Sequence, residues 1–283
     1  MIENINWYPG HMKKTRELIQ QNLKMVDAVI EVIDARIPVS SRNPIIDELV
    51  KGKPRIIVLN KSDLADEDSS RAWTEKFRAE GNKVLAMNCM SGGGVKELFR
   101  LLDKMEAEKN RDRTMQKAYR LMIVGVPNVG KSSLINRMTG KKSAQTGDRP
   151  GVTKGKQWLK LQNGMQLLDT PGILWPKFED PNVGLMLAYT GAVKEGIFDL
   201  EELACRLIRL LWERYPDSIR QRYGIEPAED MNGYDMLQLA GKKRGFLLSR
   251  GEINTERMAK VLVDEFRSGK LGRFTLEMPE DIK

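Results

Sequence analysis

The sequence predicts an α/β protein in two domains: a mostly parallel sheet flanked by helices, then a small all-helical domain. Three observations predict it. Tyr119 to Val124 is a short apolar run, the glycine loop Gly125-Val126-Pro127-Asn128-Val129-Gly130-Lys131-Ser132 follows, and Ser133 to Met138 opens a helix; strand, glycine loop and helix in that order belong to a parallel sheet. Upstream, β-branched apolar runs alternate with segments of helical character. Beyond Trp175-Pro176-Lys177 the β-rich runs stop until the very end, and apolar stripes at helical spacing take over. The expected domains are 1–178 and 179–283.

The elements follow in order. Met12, Leu18, Ile19, Leu23 and Val26 fall near helical spacing, with Lys13, Lys14, Arg16 and Lys24 largely on the other side. Ala28 to Ile33 is a buried strand, β-branched and apolar, and Asp34 to Pro44 is loop chemistry. Ile45 to Val50 begins a helix. Arg55 to Leu59 is a second buried strand, Asp66 to Ala79 a polar helix, Lys83 to Met87 a third strand, and Val95 to about Met105 a helix after the turn Ser91-Gly92-Gly93-Gly94. After the glycine loop and its helix, 141–156 is long and aperiodic, as functional loops often are. Gln157 to Leu161 and Met165 to Leu168 read as a hairpin. In the second domain Leu200, Leu203, Ala204, Leu207, Ile208 and Leu211 form one stripe and Met258, Val261, Leu262 and Phe266 another.

Bulk properties narrow the class. The chain has 283 residues, 41% hydrophobic and 30% charged, which suits a globular protein with a real core. Its net charge of +8 favours an anionic macromolecular partner, nucleic acid first. Two cysteines, Cys89 and Cys205, without a C-x-x-C, argue for neither a zinc site nor a disulfide framework. Glu3 stands early and no apolar segment follows it, so no signal peptide is expected; no apolar run has the length of a membrane span. The expectation is a cytoplasmic, reducing compartment with no membrane partner.

Three motifs carry chemistry. The 125–132 loop fits G-x-x-x-x-G-K-[ST]. Its glycines let successive N–H groups, through Asn128, Val129, Gly130 and on to Ser133, converge on an anion, and the helix N-terminus adds partial positive charge. Lys131 would neutralise the β- and γ-phosphates, and the Ser132 hydroxyl would ligate Mg²⁺. Asn60-Lys61-Ser62-Asp63 fits N-K-x-D. A carboxylate can accept two hydrogen bonds, and guanine offers N1–H and an amino group as a donor pair where adenine does not. Asn60 would support the base edge and the loop, and the Lys61 stem would cover the ring face. Asp169-Thr170-Pro171-Gly172 fits D-x-x-G, with Asp169 holding Mg²⁺ through water and the Gly172 N–H bonding the γ-phosphate. Thr153 is the candidate switch threonine, reaching Mg²⁺ and the γ-phosphate from the long loop, with Thr146 its rival.

The motif order is unusual, because N-K-x-D precedes the phosphate loop. Parallel strands assemble by packing, so such a reordering is tolerable, and the chain reads as a circularly permuted P-loop GTPase. The runs WYPGHM at 7–12, DARIPVSSRNP at 34–44, NKSD, GVPNVGKSS, TGDRPGVT and LLDTPGILWPKFED together resemble the RbgA/YlqF family of ribosome-biogenesis GTPases over nearly the whole chain. The resemblance implies hydrolysis of GTP to GDP and phosphate, coupled to late assembly of the large ribosomal subunit. It also implies a C-terminal helical domain that binds ribosomal RNA, with the protein a monomer off the ribosome. Two other classes stand beside it, an RNA-modification-associated GTPase and a nucleotide-gated RNA-binding module with little catalysis.

Within that resemblance, some positions carry further expectations. Ile173 follows Gly172, where Ras-like enzymes place a glutamine to orient water. The resemblance implies that the histidine of P-G-H-M, here His11, the chain's one histidine, is a mobile catalytic residue; an imidazole titrates near neutrality. Related potassium-activated GTPases use an asparagine at the position of Asn128 to ligate K⁺. The base-clamping S-A-K element falls at Asn88-Cys89-Met90 and matches at no residue, so weak nucleotide binding with fast exchange is expected. The D-x-x-G motif stands last before the helical domain, so nucleotide state is expected to set the orientation of that domain. For RNA contact the candidates are Lys242, Lys243 and Arg244, then Arg206 and Arg209, with Lys13, Lys14 and Arg16 as a second patch.

Overall fold

The computed structural model describes residues 16–17, 19–111, 117–140, 158–168, 180–193, 196, 198–249 and 251–281. Among them, 16–168 together with 275–281 form one compact unit and 180–274 another. The first unit holds six strands: β1 (Ala28–Asp34), β2 (Arg55–Asn60), β3 (Lys83–Met87), β4 (Arg120–Val124), β5 (Trp158–Lys160) and β6 (Gln166–Leu168). They form one sheet in the order β3-β2-β1-β4-β6-β5. All neighbours are parallel except β5 and β6, which form the expected hairpin. Every residue of β1 is buried, as a strand covered on both faces must be.

Register decides what meets at the strands' C-terminal ends. Asp34 lies opposite Asn60, and Asn60 opposite Met87. Across β1, Glu31 lies opposite Val124, the last residue before the glycine loop. The N-K-x-D segment leaves β2 and the phosphate loop leaves β4, on either side of β1. The helices that accompany these strands include α1 (Pro44–Leu49), α2 (Glu67–Ala79), α3 (Val95–Asn110) and α4 (Lys131–Thr139). α1 starts where Asn43 accepts the Ile45 N–H and Pro44 sits at its first turn; α2 starts where Asp66 accepts the Ser69 N–H. Residues 19–23 are helical, with Ile19 and Leu23 in the core as their spacing predicts.

Two apolar clusters support the sheet. One joins Ile19, Leu23 and Val26 with Val29, Ile46, Val50, Met122, Val124 and Leu168. The other joins Ile33, Ala35, Ile57 and Leu59 with Ala65, Trp73, Phe77 and Val84. Val29, Glu31 and Ile33 share one face of β1 by strand alternation, so a carboxylate interrupts the apolar row. Glu31 is 1% exposed. Arg55 Nη1 stands 3.2 Å and Arg42 Nε 3.6 Å from its oxygens, and both arginines also pair with Asp47. Burial pushes the Glu31 carboxyl above its usual range, against the pull of the two arginines.

The final described segment, 275–281, packs on the sheet unit, although the sequence groups it with the helices. Thr275 is fully buried there, the Leu276 N–H donates to Arg36 O at 2.8 Å, and Trp73 Nε1 donates to Glu277 O at 2.8 Å. The second unit comprises α5 (Pro181–Tyr189), α6 (Leu200–Arg214), α7 (Pro216–Tyr223), α8 (Gly233–Lys243) and α9 (Thr255–Ser268). Asp180, Asp199, Asn232 and Asn254 cap four of them through side-chain oxygens. Leu203, Leu207, Ile208 and Leu211 of α6 and Met258, Leu262 and Phe266 of α9 are buried as their stripes predict. Glu265 gathers Arg222, Arg244 and the Tyr223 hydroxyl. Burial would raise its carboxyl, but these donors outweigh burial and hold it low. No helix of the described residues is long and apolar enough to cross a membrane.

The Glu31 cluster gives a stability test. Arg55→Ala leaves a buried carboxylate short of one cation and is expected to lower unfolding free energy by about 3 kcal/mol in denaturant titration. Adding Glu31→Gln in that background removes the stranded charge and restores part of the loss; a further loss would show that charge is not the cause.

Candidate functional site

The site is assembled around one buried side chain, the Asn60 carboxamide, 2% exposed at the end of β2. Its Nδ2 donates to Val129 O of the phosphate loop at 2.5 Å. Its Oδ1 accepts the Cys89 N–H at 2.9 Å. The same residue's own carbonyl accepts the Ala35 N–H at 2.8 Å. Three loops, leaving β1, β3 and β4, are thereby fixed to the one leaving β2. Gly130 makes room for this: its φ is +104°, and a Cβ there would collide with Asn60 Nδ2. Gly125 is required for a second reason, since its Cβ would run into Val32 O of β1.

The phosphate loop has the form an anion needs. α4 begins at Lys131 with Gly130 as N-cap and no side-chain cap, so its first N–H groups face outward for an acceptor. Lys131 is 8% exposed and its Nζ donates to Val126 O at 2.7 Å, folded back over its own loop. Asn128 is exposed at φ +59°, a left-handed conformation that asparagine tolerates better than most residues. Ser132 and Ser133 are half-buried in the first turn. These residues fit a polyphosphate: an uncapped helix N-terminus and a lysine beside it.

On the base side, Asp63 is exposed and Lys61 half-buried. Lys61 has φ +60° and its Nζ lies 2.9 Å from Asp34 Oδ2. Asp34 is 1% exposed and also takes Arg36 Nε at 3.0 Å and Nη2 at 2.9 Å. Burial alone would raise the Asp34 carboxyl; the Arg36 and Lys61 cations outweigh it and hold it well below the usual carboxylate range.

The 88–93 loop is a closed turn. Asn88 Oδ1 accepts the N–H groups of Met90 and Ser91, and Gly92 N–H donates to Asn88 O. Cys89 is 1% exposed; burial, and secondarily Asp63, push its thiol up to about 12. It is an interior thiol whose backbone, rather than sulfur, serves the site. Met90 is 72% exposed, its sulfur 3.4 Å from Ser133 Oγ, and its carbonyl accepts from Arg137 Nη2. The first turns of α4 thus hold the turn that replaces S-A-K.

The structure therefore brings Asn60, Cys89, Val129 and Gly130 together, with Asp63 near enough to act on Cys89. His11, Thr153, its rival Thr146, Asp169 and Gly172 lie outside the described residues, as do Lys13 and Lys14. Sequence reasoning missed Asp34, Arg36 and Arg137; the D-A-R run was visible but carried no role. Of the basic candidates, Arg206 pairs with Glu202 and Arg209 with Glu213, each one turn away. Arg244 is taken by Glu265, and Arg16 by Glu48. Lys242 and Lys243 are exposed, with no partner among the described residues.

Known proteins resemble this chain in sequence and fold. The profile of the family described as 50S ribosome-binding GTPase matches residues 120–219; it begins at β4, as a motif order with N-K-x-D moved to the front requires. Ribosome biogenesis GTPase A of Bacillus licheniformis is 47% identical, covering 98% of this chain and 99% of that one. Mitochondrial ribosome-associated GTPase 1 of Mus musculus is 35% identical over 96% of this chain and 89% of its own. Among solved structures, GNP-bound YlqF from T. maritima is 31% identical with a TM-score of 0.67, covering 95% of this chain and all of that one. GDP-bound TM YlqF, also 31% identical, has a TM-score of 0.66 and covers 93% of this chain and all of its own.

The Asn60–Gly130 contact predicts a specific coupling. Gly130→Ala and Asn60→Ala are each expected to weaken GDP binding about tenfold or more in fluorescence titration. The double variant is expected to lose no more than the worse single one, because both break the same link; fully additive losses would refute it.

Proposed function

The chain belongs to the ribosome biogenesis GTPase A family, and on that premise we propose that it hydrolyses GTP while bound to a precursor of the large ribosomal subunit, in the cytoplasm. The observation that carries the reading is the bridge from Asn60 to Val129, which ties the N-K-x-D loop to the phosphate loop. Water attacks the γ-phosphorus and the bond to the β-phosphate oxygen breaks, giving GDP and phosphate. Lys131 turns from Val126 O toward the β- and γ-phosphates, and the N–H groups of 128–133 hold the remaining oxygens. Asp63 accepts the guanine donor pair and Lys61 lies along the ring.

Mg²⁺, when bound, would neutralise charge developing between the β- and γ-phosphates; Ser132, Thr153 and Asp169 are the residues proposed to hold it. Asn128 is the proposed ligand for K⁺. With Ile173 unable to orient water, His11 is the proposed catalytic residue. Asn88 and Cys89 support the base through their backbone. The sheet domain, with the returning 275–281 segment packed on it, acts on nucleotide, and the helical domain, which ends at Phe274, on ribosomal RNA. Lys242 and Lys243 support that second role, being the basic candidates without a carboxylate partner among the described residues. Off the ribosome the protein is a monomer.

One assay tests the whole reading. GTP turnover is expected to be low alone, to rise at least about tenfold with precursor large-subunit particles, and to be higher in KCl than in NaCl. His11→Ala is expected to abolish the stimulated rate while leaving particle binding intact. Unstimulated turnover would favour a nucleotide-gated binding module, and an unchanged rate in His11→Ala would remove histidine from the mechanism.

A further inference from the structure

The tail that returns to the sheet unit ends against the loop that holds the guanine-side lysine. Its contacts are dense and polar. The Val39 N–H donates to Glu277 Oε2 at 2.7 Å, the Ser40 N–H reaches both Glu277 oxygens at 3.1 Å, and the Ser40 hydroxyl donates to Oε1. Successive N–H groups and a hydroxyl converging on one anion form a nest, here filled by a carboxylate from the far end of the chain. Around it, Leu276 N–H donates to Arg36 O, and Thr275 Oγ1 contacts Ala35 O at 3.5 Å while accepting the Asp66 N–H at 3.2 Å. Lys76 Nζ donates to Pro279 O at 2.8 Å.

The anchors at 36–40 and at Asp66 touch segments next to the base-recognition loop. Residues 35–40 continue directly from Asp34, whose carboxylate holds Lys61 at 2.9 Å. Ser41 Oγ accepts the Asp34 N–H at 2.9 Å and donates to Ile37 O at 2.7 Å, so this loop moves as one piece. Asp66, bonded to Thr275, stands three residues after Asp63 and caps α2. The strap therefore grips N-K-S-D from both flanks. Nothing in hydrolysis uses these contacts. On its helical side, Phe274 is packed with Phe266 and Tyr215, at ring distances of 5.9 and 5.0 Å.

We propose that Glu277 is a positioning residue for guanine recognition: by pinning the 34–41 loop it sets Asp34 and hence Lys61, so that strap docking and guanine-nucleotide binding are thermodynamically coupled. The proposal rests on the nucleotide reading above. Coupling is reciprocal: what the strap adds to nucleotide affinity, nucleotide adds to strap docking. The γ-phosphate has no part in it, so GDP and a non-hydrolysable GTP analogue feel it equally.

The test uses the full chain. Glu277→Ala is expected to weaken fluorescent GDP and the GTP analogue by the same factor, about fivefold or more, with Glu277→Gln between it and wild type. In wild type, GDP is expected to slow hydrogen exchange at the Val39, Ser40 and Leu276 amides, and Asp34→Asn is expected to abolish that protection while the chain stays folded. Unchanged affinity in a folded Glu277→Ala chain overturns the proposal. So does exchange at those amides that ignores saturating GDP, a readout in wild type that stands even if a variant fails to fold. A wild-type chain that holds no guanine nucleotide would instead bring down the nucleotide reading, and this proposal with it.

Discussion

The carboxamide of Asn60 is the constraint on which the site depends. It is buried, so its donor and its acceptor must both be used, and the two groups it satisfies belong to loops from different strands. Leaving either buried backbone group unpaired would cost about 1–3 kcal/mol. That cost makes the phosphate loop and the 88–93 turn parts of one object rather than neighbours. It also adds a second reason for a glycine at 130, whose left-handed backbone already disfavours a side chain and whose Cβ would meet the asparagine.

Motif order in the chain matters less than strand order in the sheet. β2 brings N-K-S-D and β4 brings the phosphate loop, with β1 hydrogen-bonded between them. Parallel register sets all these ends at one edge, where ligands of such sheets bind. The residue that β1 contributes at that edge, Asp34, completes the arrangement by holding Lys61. The same strand carries Glu31 in its interior, so β1 is tied to its surroundings by charge at both its middle and its end. This differs from a strand held only by apolar packing: each carboxylate also fixes particular arginines of the loop and of the neighbouring strand.

Local signals made much of this legible. The apolar runs at 28–33, 55–59, 83–87 and 119–124, the helical stripes at 200–211 and 258–266, and the N-K-x-D and phosphate-loop motifs near their strands each depend on residues close in sequence. What stayed hidden depends on residues far apart. Glu277 contacts Val39 across 238 positions, and no periodicity announces that. At Cys89 the residue type misleads, because the backbone N–H makes the bond and the side chain only fills the interior. Arg206 and Arg209 looked like a basic face, yet Glu202 and Glu213 stand one helical turn from them, a pairing that the i, i+4 rule could have found.

The central claim is that a carboxylate at 63 reads guanine in a pocket whose phosphates rest on the 125–133 loop. Xanthine carries a carbonyl where guanine carries its amino group, so a carboxamide in place of the carboxylate should suit it by donating there. The direct measurement is calorimetric titration of wild type and Asp63→Asn with GDP, ADP and xanthosine diphosphate. The account predicts that wild type takes GDP and neither of the others, and that Asp63→Asn loses GDP and gains xanthosine diphosphate. A variant that keeps GDP, or a wild type that holds ADP as well as GDP, would contradict it.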